Sequence, residues 1–376
     1  MMQITFVVEH CHLRGGHERC VAEWARRLAR RHQVTIVSHS VGDLPPGAVR
    51  WDPIRRIPGP APLQYLAFYL MAGARVKTLR GHIIHSQGPN CPVFAFSSVH
   101  TVVRAKYEIL RSSPEFKREL SSKQYAAWDA HYRLAMAMER RLYPQPKGML
   151  LPVSKGTGRE LRAHFGTPAE LVEPVPNGVD LDVFRPGMSG EREATLRTLG
   201  LEPQGAYVLF VGGEWARKGL PFALRVIAAC ANDVHLVVAG SGPQAYYREQ
   251  AARLGIQQRV HFLGTCADTS ALYRTGLALL MPSLYEAFSL VSLEAAASGL
   301  PILASPVSGT EELIEEGQNG WVLPADPTLW AARLNALATD RGIYERMSHR
   351  AREVALLFPW DRGVARFEEL YGHANT

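Results

Sequence analysis

Short strand-like runs alternate with helical segments along this chain, and this alternation restricts its fold more than any other feature. The pattern is clearest from about residue 206, where each apolar run is followed by a helical segment. The runs cover residues 207–211, 235–239, 260–263, 277–281 and 301–304. Strands that alternate with helices in this way form βαβ units and a parallel sheet. The sequence therefore predicts an α/β fold.

The first half of the chain shows the same alternation less regularly. Its strand-like runs cover residues 4–8, 34–37, 83–84, 93–97 and 149–153, and a long helical region lies at about 101–143. A chain of 376 residues is longer than a single hydrophobic core usually supports. A segment rich in Pro, Gly and Asn follows Val175 and is typical of a joint between domains. We therefore predict Rossmann-like domains at 1–180 and 181–356, with a C-terminal helix at about 357–376 packing back on the first domain.

Composition and cysteine usage indicate a cytoplasmic globular protein. Hydrophobic residues make up 47% and charged residues 20% of the chain, which is ordinary for a globular domain. The five cysteines include no C-x-x-C pair, so they are expected to be reduced thiols. The N-terminal apolar run is too short for a signal peptide, and the stretch 62–74 falls below the roughly 18 residues of a spanning helix. No membrane span is expected.

The net charge of +7 is unevenly distributed. Residues 1–180 hold 25 Lys and Arg against 14 Asp and Glu, a balance of +11, whereas the remainder holds 17 against 21, a balance of −4. A basic first half suggests that only this half meets a polyanion. Charge alone leaves nucleic acid, an anionic lipid surface and a merely solvated basic face open. The basic and aromatic residues of segments 62–80 and 101–143 favour peripheral contact with an anionic membrane.

Ligands of open α/β sheets bind where strands end and helices begin, so the strand-to-helix turns are the candidate sites. The turn at 211–219 carries paired glycines followed by Arg217 and Lys218 at the start of a helix. Cations are electrostatically unfavourable at this helix end, where the dipole is already positive. An anion between them, such as a diphosphate, would resolve the conflict, since Arg grips phosphate as a fork and Lys as a point charge.

A second turn contains Gly240 and Gly242 and resembles a phosphate loop. The G-x-G pattern alone is weak, and the third glycine of the dinucleotide fingerprint is missing. No acidic residue ends the next strand, where NAD enzymes hold a ribose. A purely structural turn is as well supported as a ligand loop, and an NAD oxidoreductase is disfavoured.

The third turn, at 281–299, carries two carboxylates in an apolar context. Glu286 lies in a short loop, and Glu294 lies within an Ala/Leu-rich helix that begins near Ser289. A buried carboxylate needs hydrogen-bond donors, and the two hydroxyls of a ribose could provide them. The free backbone N–H groups at the helix start can meet a sugar or phosphate oxygen; these belong to Phe288, Ser289, Leu290 and Val291.

In these motifs the chain resembles glycosyltransferase family 4, whose members are retaining enzymes of the GT-B fold. The resemblance rests on the Pro-Asn-Gly-Val-Asp motif at 176–180 with Phe184 and Pro186, the Arg-Lys-Gly turn at 217–219, the Gly-Ser-Gly-Pro turn at 240–243, and the segment 286–294. It is similar in type to the lipopolysaccharide core glucosyltransferase. The resemblance implies two Rossmann-like domains with parallel sheets facing across a cleft.

The resemblance also implies roles for the C-terminal residues. Glu294 should bind the nucleotide ribose, Glu286 the hydroxyls of the donor sugar, and Arg217 and Lys218 the diphosphate. Ser289 stands where the family usually has Gly, which affects how closely the backbone can approach the sugar.

Two further parts of the site are expected in the N-terminal half. Gly15 and Gly16 should lie against the diphosphate, and His100 should face the donor sugar. Many family members carry Arg at the position of Gly213, and Arg217 is the expected substitute. The Asp180-Leu-Asp182 sequence matches the D-x-D form of metal-dependent transferases, but it lies in the interdomain joint and is interpreted as structural. No metal or other cofactor is expected.

The implied function is retaining transfer of a hexose from a nucleotide diphosphate sugar, with UDP favoured, to a glycolipid or polysaccharide-precursor acceptor such as lipopolysaccharide core. No nucleic-acid partner is expected. Peripheral attachment to the inner face of the membrane would bring the enzyme to such an acceptor. The alternatives are a GT-B sugar-nucleotide epimerase or phosphorylase, and a non-catalytic protein that binds a nucleotide or polyanion.

Overall fold

The computed structural model describes residues 1–266 and 268–374, which form two compact units. The first unit contains Met1–Ile109, Leu120–Gly178 and the segment from Trp360 onward, and the second contains Leu110–Glu119 and Val179–Pro359. The expected C-terminal helix is present from Trp360, within the first unit, and its predicted last two residues lie outside the described part of the chain.

The first unit is built on a six-stranded parallel sheet with the order β5-β3-β1-β6-β7-β8. A two-stranded parallel pair, β2 with β4, lies beside it. The strands β1, β3, β6, β7 and β8 are nearly continuous buried runs, as expected for a parallel sheet covered on both faces. Their bounds are β1 Gln3–Val7, β2 His10–Cys11, β3 Gln33–Ser38, β4 Ser40–Val41, β5 Arg50–Pro53, β6 Ile83–Gln87, β7 Phe96–Val99 and β8 Met149–Pro152.

The helices up to residue 165 are α1 His17–Leu28, α2 Ala61–Val76, α3 Val103–Ser112, α4 Pro114–Glu119, α5 Ser122–Leu142 and α6 Lys155–Phe165. The region predicted as one helical stretch at 101–143 is thus three helices. Pro114 lacks the N–H that would continue α3, and Ser121 starts α5 with a capping box closed by Gln124. A 3₁₀ turn, Ala169–Leu171, precedes the joint.

The second unit holds another six-stranded parallel sheet, with the order β11-β10-β9-β12-β13-β14. The strands are β9 Ala206–Val211, β10 Val234–Ala239, β11 Val260–Gly264, β12 Ala278–Met281, β13 Ile302–Ala304 and β14 Gly320–Val322. The helices are α7 Glu191–Thr198, α8 Trp215–Lys218, α9 Leu220–Ala229, α10 Gln244–Arg253, α11 Thr269–Tyr273, α12 Leu290–Ala297, α13 Thr310–Leu313, α14 Pro327–Thr339, α15 Arg341–Ala355 and, in the first unit, α16 Trp360–Ala374. A 3₁₀ turn, Gln257–Arg259, precedes β11.

The predicted α/β class and its two parallel sheets are confirmed. The sequence prediction missed the outer strands β5 and β14, and it placed β7 three residues too early. Both outer strands are short, and β5 is largely exposed, so neither shows the continuous apolar run that identified the central strands. In the second unit the buried core includes Trp215, Trp330 and Tyr247.

One segment lies in a different unit from its sequence neighbours. Leu110–Glu119 was assigned to the first domain by the boundary at residue 180, but it clusters with the second unit. Phe116 of α4 is buried, and the carboxylate of Glu119 accepts a hydrogen bond from the backbone of α8. These contacts are tertiary, which is why a boundary drawn from composition could not show them.

Candidate functional site

The turn after β9, residues 212–219, is called the cation turn here because it carries Arg217 and Lys218. The chain leaves β9 through Gly212, at φ 122°, and Glu214, at φ 51°, and then forms the four-residue helix α8. Arg217 and Lys218 end α8 and directly precede Gly219, which caps α9. Both cations therefore lie just before the N-terminus of α9 and not inside its first turn, because Gly219 ends one helix and begins the next.

Arg217 and Lys218 share a buried carboxylate, Glu286. Nη1 of Arg217 donates to Oε1 of Glu286 at 2.9 Å, and Nζ of Lys218 donates to the same oxygen at 3.3 Å. The three side chains are only 11%, 13% and 13% exposed. Burial raises the pKa of Glu286, but the charges of Lys218 and Arg217 outweigh it and lower that pKa to about 2. The cluster thus holds two cations and one carboxylate with little access to water.

Glu214 is a partner of Arg217 that the sequence analysis missed. Its Oε2 accepts a hydrogen bond from Nε of Arg217 at 2.9 Å, although the Glu214 side chain is 54% exposed. The two cations were expected to be opposed only by a bound anion, whereas the protein itself supplies Glu286 and Glu214. These carboxylates hold the cations in place, and the buried part of the cluster keeps an excess of positive charge.

The loop after β12, residues 282–289, is called the carboxylate loop because it carries Glu286. It packs on the cation turn backbone to backbone, since the Leu284 N–H donates to the Arg217 carbonyl at 2.8 Å. Gly219 lies in the left-handed region at φ 82°, and a Cβ built on it would lie 2.0 Å from the Pro282 carbonyl oxygen. No side chain fits at this position. The close approach of the two segments fixes the geometry of the Arg217–Lys218–Glu286 cluster.

The carboxylate of Glu119 accepts a hydrogen bond from the N–H of Ala216 at 3.0 Å. This contact ties α4 to α8, within the cation turn. The two residues are 97 positions apart, so no local sequence pattern could have indicated it.

Helix α12 begins at Leu290, close to Ser289 as the sequence predicted, and it has an N-cap that the sequence analysis did not name. Ser289 is the N-cap, and its Oγ accepts a hydrogen bond from the Ser292 N–H. Glu294, 5% exposed, lies within α12, and its Oε2 accepts from the Tyr273 hydroxyl at 2.9 Å. Ribose hydroxyls were the expected donors to Glu294. Tyr273, itself fully buried and packed on Phe184, is a protein donor that sequence reasoning did not find.

The remaining residues at the start of α12 differ in burial. Phe288 is buried and packs on the ring of Phe358, whereas Leu290 and Val291 are half-buried. A Cβ on Gly309 would lie 2.8 Å from the Ala287 carbonyl, so Gly309 supports the carboxylate loop from behind. A small pocket lies beside the start of α12. Its polar lining includes Ser289, Ser292 and Ser308 with Gly309, and its apolar lining includes Met281 and Leu313.

The turn after β10 lies directly against the cation turn. A Cβ on Gly240, which has φ 133°, would lie 2.2 Å from the Gly212 carbonyl oxygen, and a Cβ on Gly242 would lie 2.3 Å from the Trp215 ring. Packing within the protein thus requires glycine at both positions. This supports the structural interpretation of the G-x-G pattern and also places Gly240 beside the cation turn.

Three predicted site residues belong to the first unit. Gly15 and Gly16 are exposed at the start of α1, where Gly16 is the N-cap. His100 follows β7, and its Nε2 lies 2.9 Å from Oε1 of Gln87 while its ring stacks on Trp24. Burial, followed by the charges of neighbouring histidines, lowers the pKa of His100 well below its usual value. His100 is therefore neutral at physiological pH.

Asp180 of the Asp-Leu-Asp sequence closes a turn. Its Oδ1 accepts hydrogen bonds from the N–H groups of Asp182, at 3.2 Å, and Val183, at 3.3 Å. These contacts agree with the structural role expected for it. Within the described part of the chain, no group of three or more His, Cys, Asp or Glu side chains is placed to hold a metal ion.

Comparison with protein families identifies both halves of the chain. Residues 14–183 match the family described as Glycosyltransferase Family 4, and residues 205–340 match the family described as Glycosyl transferases group 1. Together these ranges span most of the sequence. The chain therefore carries a Glycosyltransferase Family 4 domain followed by a Glycosyl transferases group 1 domain. Among curated relatives, the chain is 36% identical over 228 residues to the D-inositol 3-phosphate glycosyltransferase of Salinispora arenicola, a match covering 55% of the chain and 50% of the relative. The chain spans about half the length of the curated relatives it matches.

Solved structures share the fold of the chain over nearly its whole length. WaaG, a glycosyltransferase involved in lipopolysaccharide biosynthesis, matches with a TM-score of 0.79 and 22% identity, covering 94% of this chain and 95% of WaaG. HepE of Anabaena, solved in complex with UDP and glucose, matches with a TM-score of 0.75 and 20% identity, covering 99% and 100%. These likenesses show the GT-B fold. Within residues 1–266 and 268–374, no helix combines the length and apolar character of a transmembrane span.

Proposed function

We propose that this protein is a retaining glycosyltransferase that moves a hexose from a UDP-sugar to a glycolipid or polysaccharide-precursor acceptor, such as lipopolysaccharide core. The two matching glycosyltransferase domains support the reaction class. The fold shared with WaaG supports the acceptor class, and the UDP and glucose bound by HepE support a UDP-hexose donor. The observation that carries the proposal is the buried Arg217–Lys218–Glu286 cluster between the cation turn and the carboxylate loop.

Glycosyl transfer requires stabilisation of the nucleoside diphosphate as negative charge builds on its departing oxygen. Arg217 and Lys218 lie beside the start of α9, and the N-terminus of α12 is close in sequence to Glu286. Fixed positive potential in a site with little water stabilises such a charge without reorganisation during the reaction. No metal is needed in this scheme, because the two cations and the helix ends supply the charge.

The other site residues are assigned to the donor. Glu286, held in place by the two cations, would accept hydrogen bonds from hydroxyls of the hexose. Backbone N–H groups of residues 288–291 and the glycines at 240 and 242 would lie along the diphosphate. Gly15, Gly16 and His100 would contribute from the first unit. Retention of configuration is proposed from the resemblance to the retaining enzymes of family 4, with the donor phosphate helping to deprotonate the acceptor hydroxyl.

Glu294 is proposed to hold the nucleotide ribose with Tyr273 at its side. Glu294→Gln should weaken UDP binding by about 10- to 100-fold, since a hydrogen bond to a charged group contributes about 1.5–3 kcal/mol. Isothermal titration calorimetry with UDP measures this. Tyr273→Phe is the matched control, because it removes the protein donor and keeps the carboxylate for the ribose. Equal UDP affinity in Glu294→Gln and wild type would remove Glu294 from the nucleotide site.

The donor can be identified by stabilisation of the folded protein. UDP, GDP, ADP and their sugars are compared by thermal shift, and a ligand present at about 100 times its Kd should add about 2.7 kcal/mol to the unfolding free energy. We expect UDP and a UDP-hexose to give the largest shifts. Transfer of labelled hexose to a lipopolysaccharide-core acceptor then tests the reaction, and NMR of the product tests retention. Conversion of the nucleotide sugar without acceptor would indicate an epimerase, and binding without turnover a non-catalytic protein.

Peripheral attachment to an anionic membrane is proposed for the first unit. Residues 1–180 carry the balance of +11, and α2 exposes Leu63 and Leu70, at 48% and 59%, in a segment that ends with Arg75 and Lys77 in the sequence. Vesicle sedimentation should show binding to anionic and not to neutral lipid, and salt should weaken it. Leu63→Ser with Leu70→Ser should reduce binding, whereas Leu329→Ser, an equally exposed leucine of the second unit, should not. Equal binding to both lipids would contradict the proposal.

A further inference from the structure

The ring of His100 is held on two sides by residues that the mechanism above does not use. On one side, Gln87, at the end of β6 and only 3% exposed, places Oε1 2.9 Å from Nε2 of His100. On the other side, the indole of Trp24 stacks on the imidazole, with ring centroids 5.6 Å apart and planes 25° from parallel. The two contacts together fix both the plane and the rotation of the His100 ring.

Gln87 is a buried polar residue whose described hydrogen bond goes to His100. Its amide nitrogen, Nε2, is buried and has no hydrogen-bond partner among the described residues. An amide donor buried without a partner costs stability. The described hydrogen bond that Gln87 makes in return is the one between its Oε1 and His100. With the amide oriented so that Oε1 faces His100, this oxygen can only accept, and Nε2 of His100 then carries the proton. Nδ1 is left as the hydrogen-bond acceptor of the ring.

Trp24 is itself held by the C-terminal helix. Phe367 and Trp360 of α16 meet the indole edge-on, with centroids at 4.9 Å and 6.3 Å. Trp24 is fully buried, so it cannot turn away from His100 without disturbing the packing of α16 on α1. The orientation of His100 therefore depends on a residue that lies far from it in sequence.

Burial and the neighbouring histidines together keep His100 neutral. His17 of α1 faces the ring at 6.0 Å, with Glu18 beside it, and His85 lies in β6. Burial lowers the pKa of His100 most, and His17 and His85 lower it further. Lys106 of α3 adds positive charge next to His17. A neutral imidazole has one donor and one acceptor nitrogen, so its tautomer decides which nitrogen a ligand meets.

We propose that Gln87 and Trp24 are positioning residues that hold His100 as the Nε2–H tautomer, so that Nδ1 accepts a hydrogen bond from a hydroxyl of the bound sugar. The sugar contact rests on the proposed function. The tautomer and its dependence on Gln87 are properties of the protein without substrate, and they can be measured whether or not transfer is observed.

The first test is NMR of the substrate-free protein with ¹⁵N-labelled histidine, with His100 assigned by comparison with His100→Asn. We expect the Nε2–H tautomer in wild type. In Gln87→Glu a carboxylate replaces the amide, which stabilises the charged ring, so His100 should titrate at higher pH than in wild type. Gln33→Glu makes the same change at an exposed glutamine and should leave His100 unaltered. An Nδ1–H tautomer in wild type, or unchanged titration in Gln87→Glu, would overturn the proposal.

The second test is the pH profile of turnover with the identified donor. Misplacement of a catalytic group by about 1 Å can cost as much as about 100-fold in rate, so Gln87→Leu should lose about 10-fold in kcat with little change in donor KM. Gln87→Glu should lose this factor in kcat only at low pH, where the ring of His100 is protonated, and should recover kcat as the pH rises. A merely structural defect would not show this recovery. Trp24→Leu should also lose about 10-fold in kcat, and Trp24→Phe, which keeps an aromatic face, should restore most of it. If the Gln87 variants show pH profiles identical to that of wild type, the role of Gln87 is overturned. If Trp24→Leu keeps the kcat of wild type, the role of Trp24 is overturned. Absence of transfer by wild type would instead count against the proposed function.

Discussion

Lys218→Ala is expected to lower kcat by about 100-fold or more, the loss seen when one preorganised electrostatic group is removed from an active site. The reason lies in the charge balance of the cluster. Without Lys218, the guanidinium of Arg217 is opposed by both Glu286 and Glu214, so the excess of positive charge that should stabilise the leaving diphosphate disappears. The loss should fall mainly on kcat, because the charge on the departing oxygen develops only in the transition state.

Steady-state kinetics with the donor identified by thermal shift measure this effect. Lys147→Ala is the matched control, since Lys147 is exposed and lies in the first unit. Lys218→Arg should recover part of the activity by keeping the charge while changing its geometry. Near-wild-type turnover in Lys218→Ala would remove Lys218 from the mechanism and leave Arg217 and the helix ends as the only proposed stabilisers.

The central strands, the cation turn and the carboxylate loop could be predicted from the sequence because their signals are local. The run at 207–211 lies within β9, and the helix expected near Ser289 begins with Ser289 as its cap. An unbroken apolar run ending in glycines, or a serine before an Ala/Leu-rich segment, needs no knowledge of the rest of the chain.

The partners of the site residues could not be predicted, because they are tertiary. Residues Arg217 and Glu286 are 69 positions apart, and Tyr273 and Glu294 are 21 apart. The sequence showed that a buried carboxylate needs a donor but not which side chain would provide it. The sequence therefore predicted that a bound anion would neutralise the two cations, whereas in the structure Glu286 and Glu214 of the protein pair with them.

Gly219→Ala should destabilise the second unit by about 3–5 kcal/mol, the sum of a strained backbone and an overpacked contact. A Cβ at this position would lie 2.0 Å from the Pro282 carbonyl oxygen, and Gly219 also has φ 82°. Gly255→Ala separates the two causes, because Gly255 has φ 72° but nothing within 4 Å of a built Cβ, so it should lose only about 1–2 kcal/mol. Urea and thermal unfolding of the two variants measure the difference. Since relief of the clash must move the carboxylate loop away from the cation turn, Gly219→Ala should also lose activity at temperatures where it remains folded, and Gly255→Ala should not. Equal stability and equal activity in the two variants would show that the close approach of Gly219 to Pro282 does not hold the Arg217–Lys218–Glu286 cluster together.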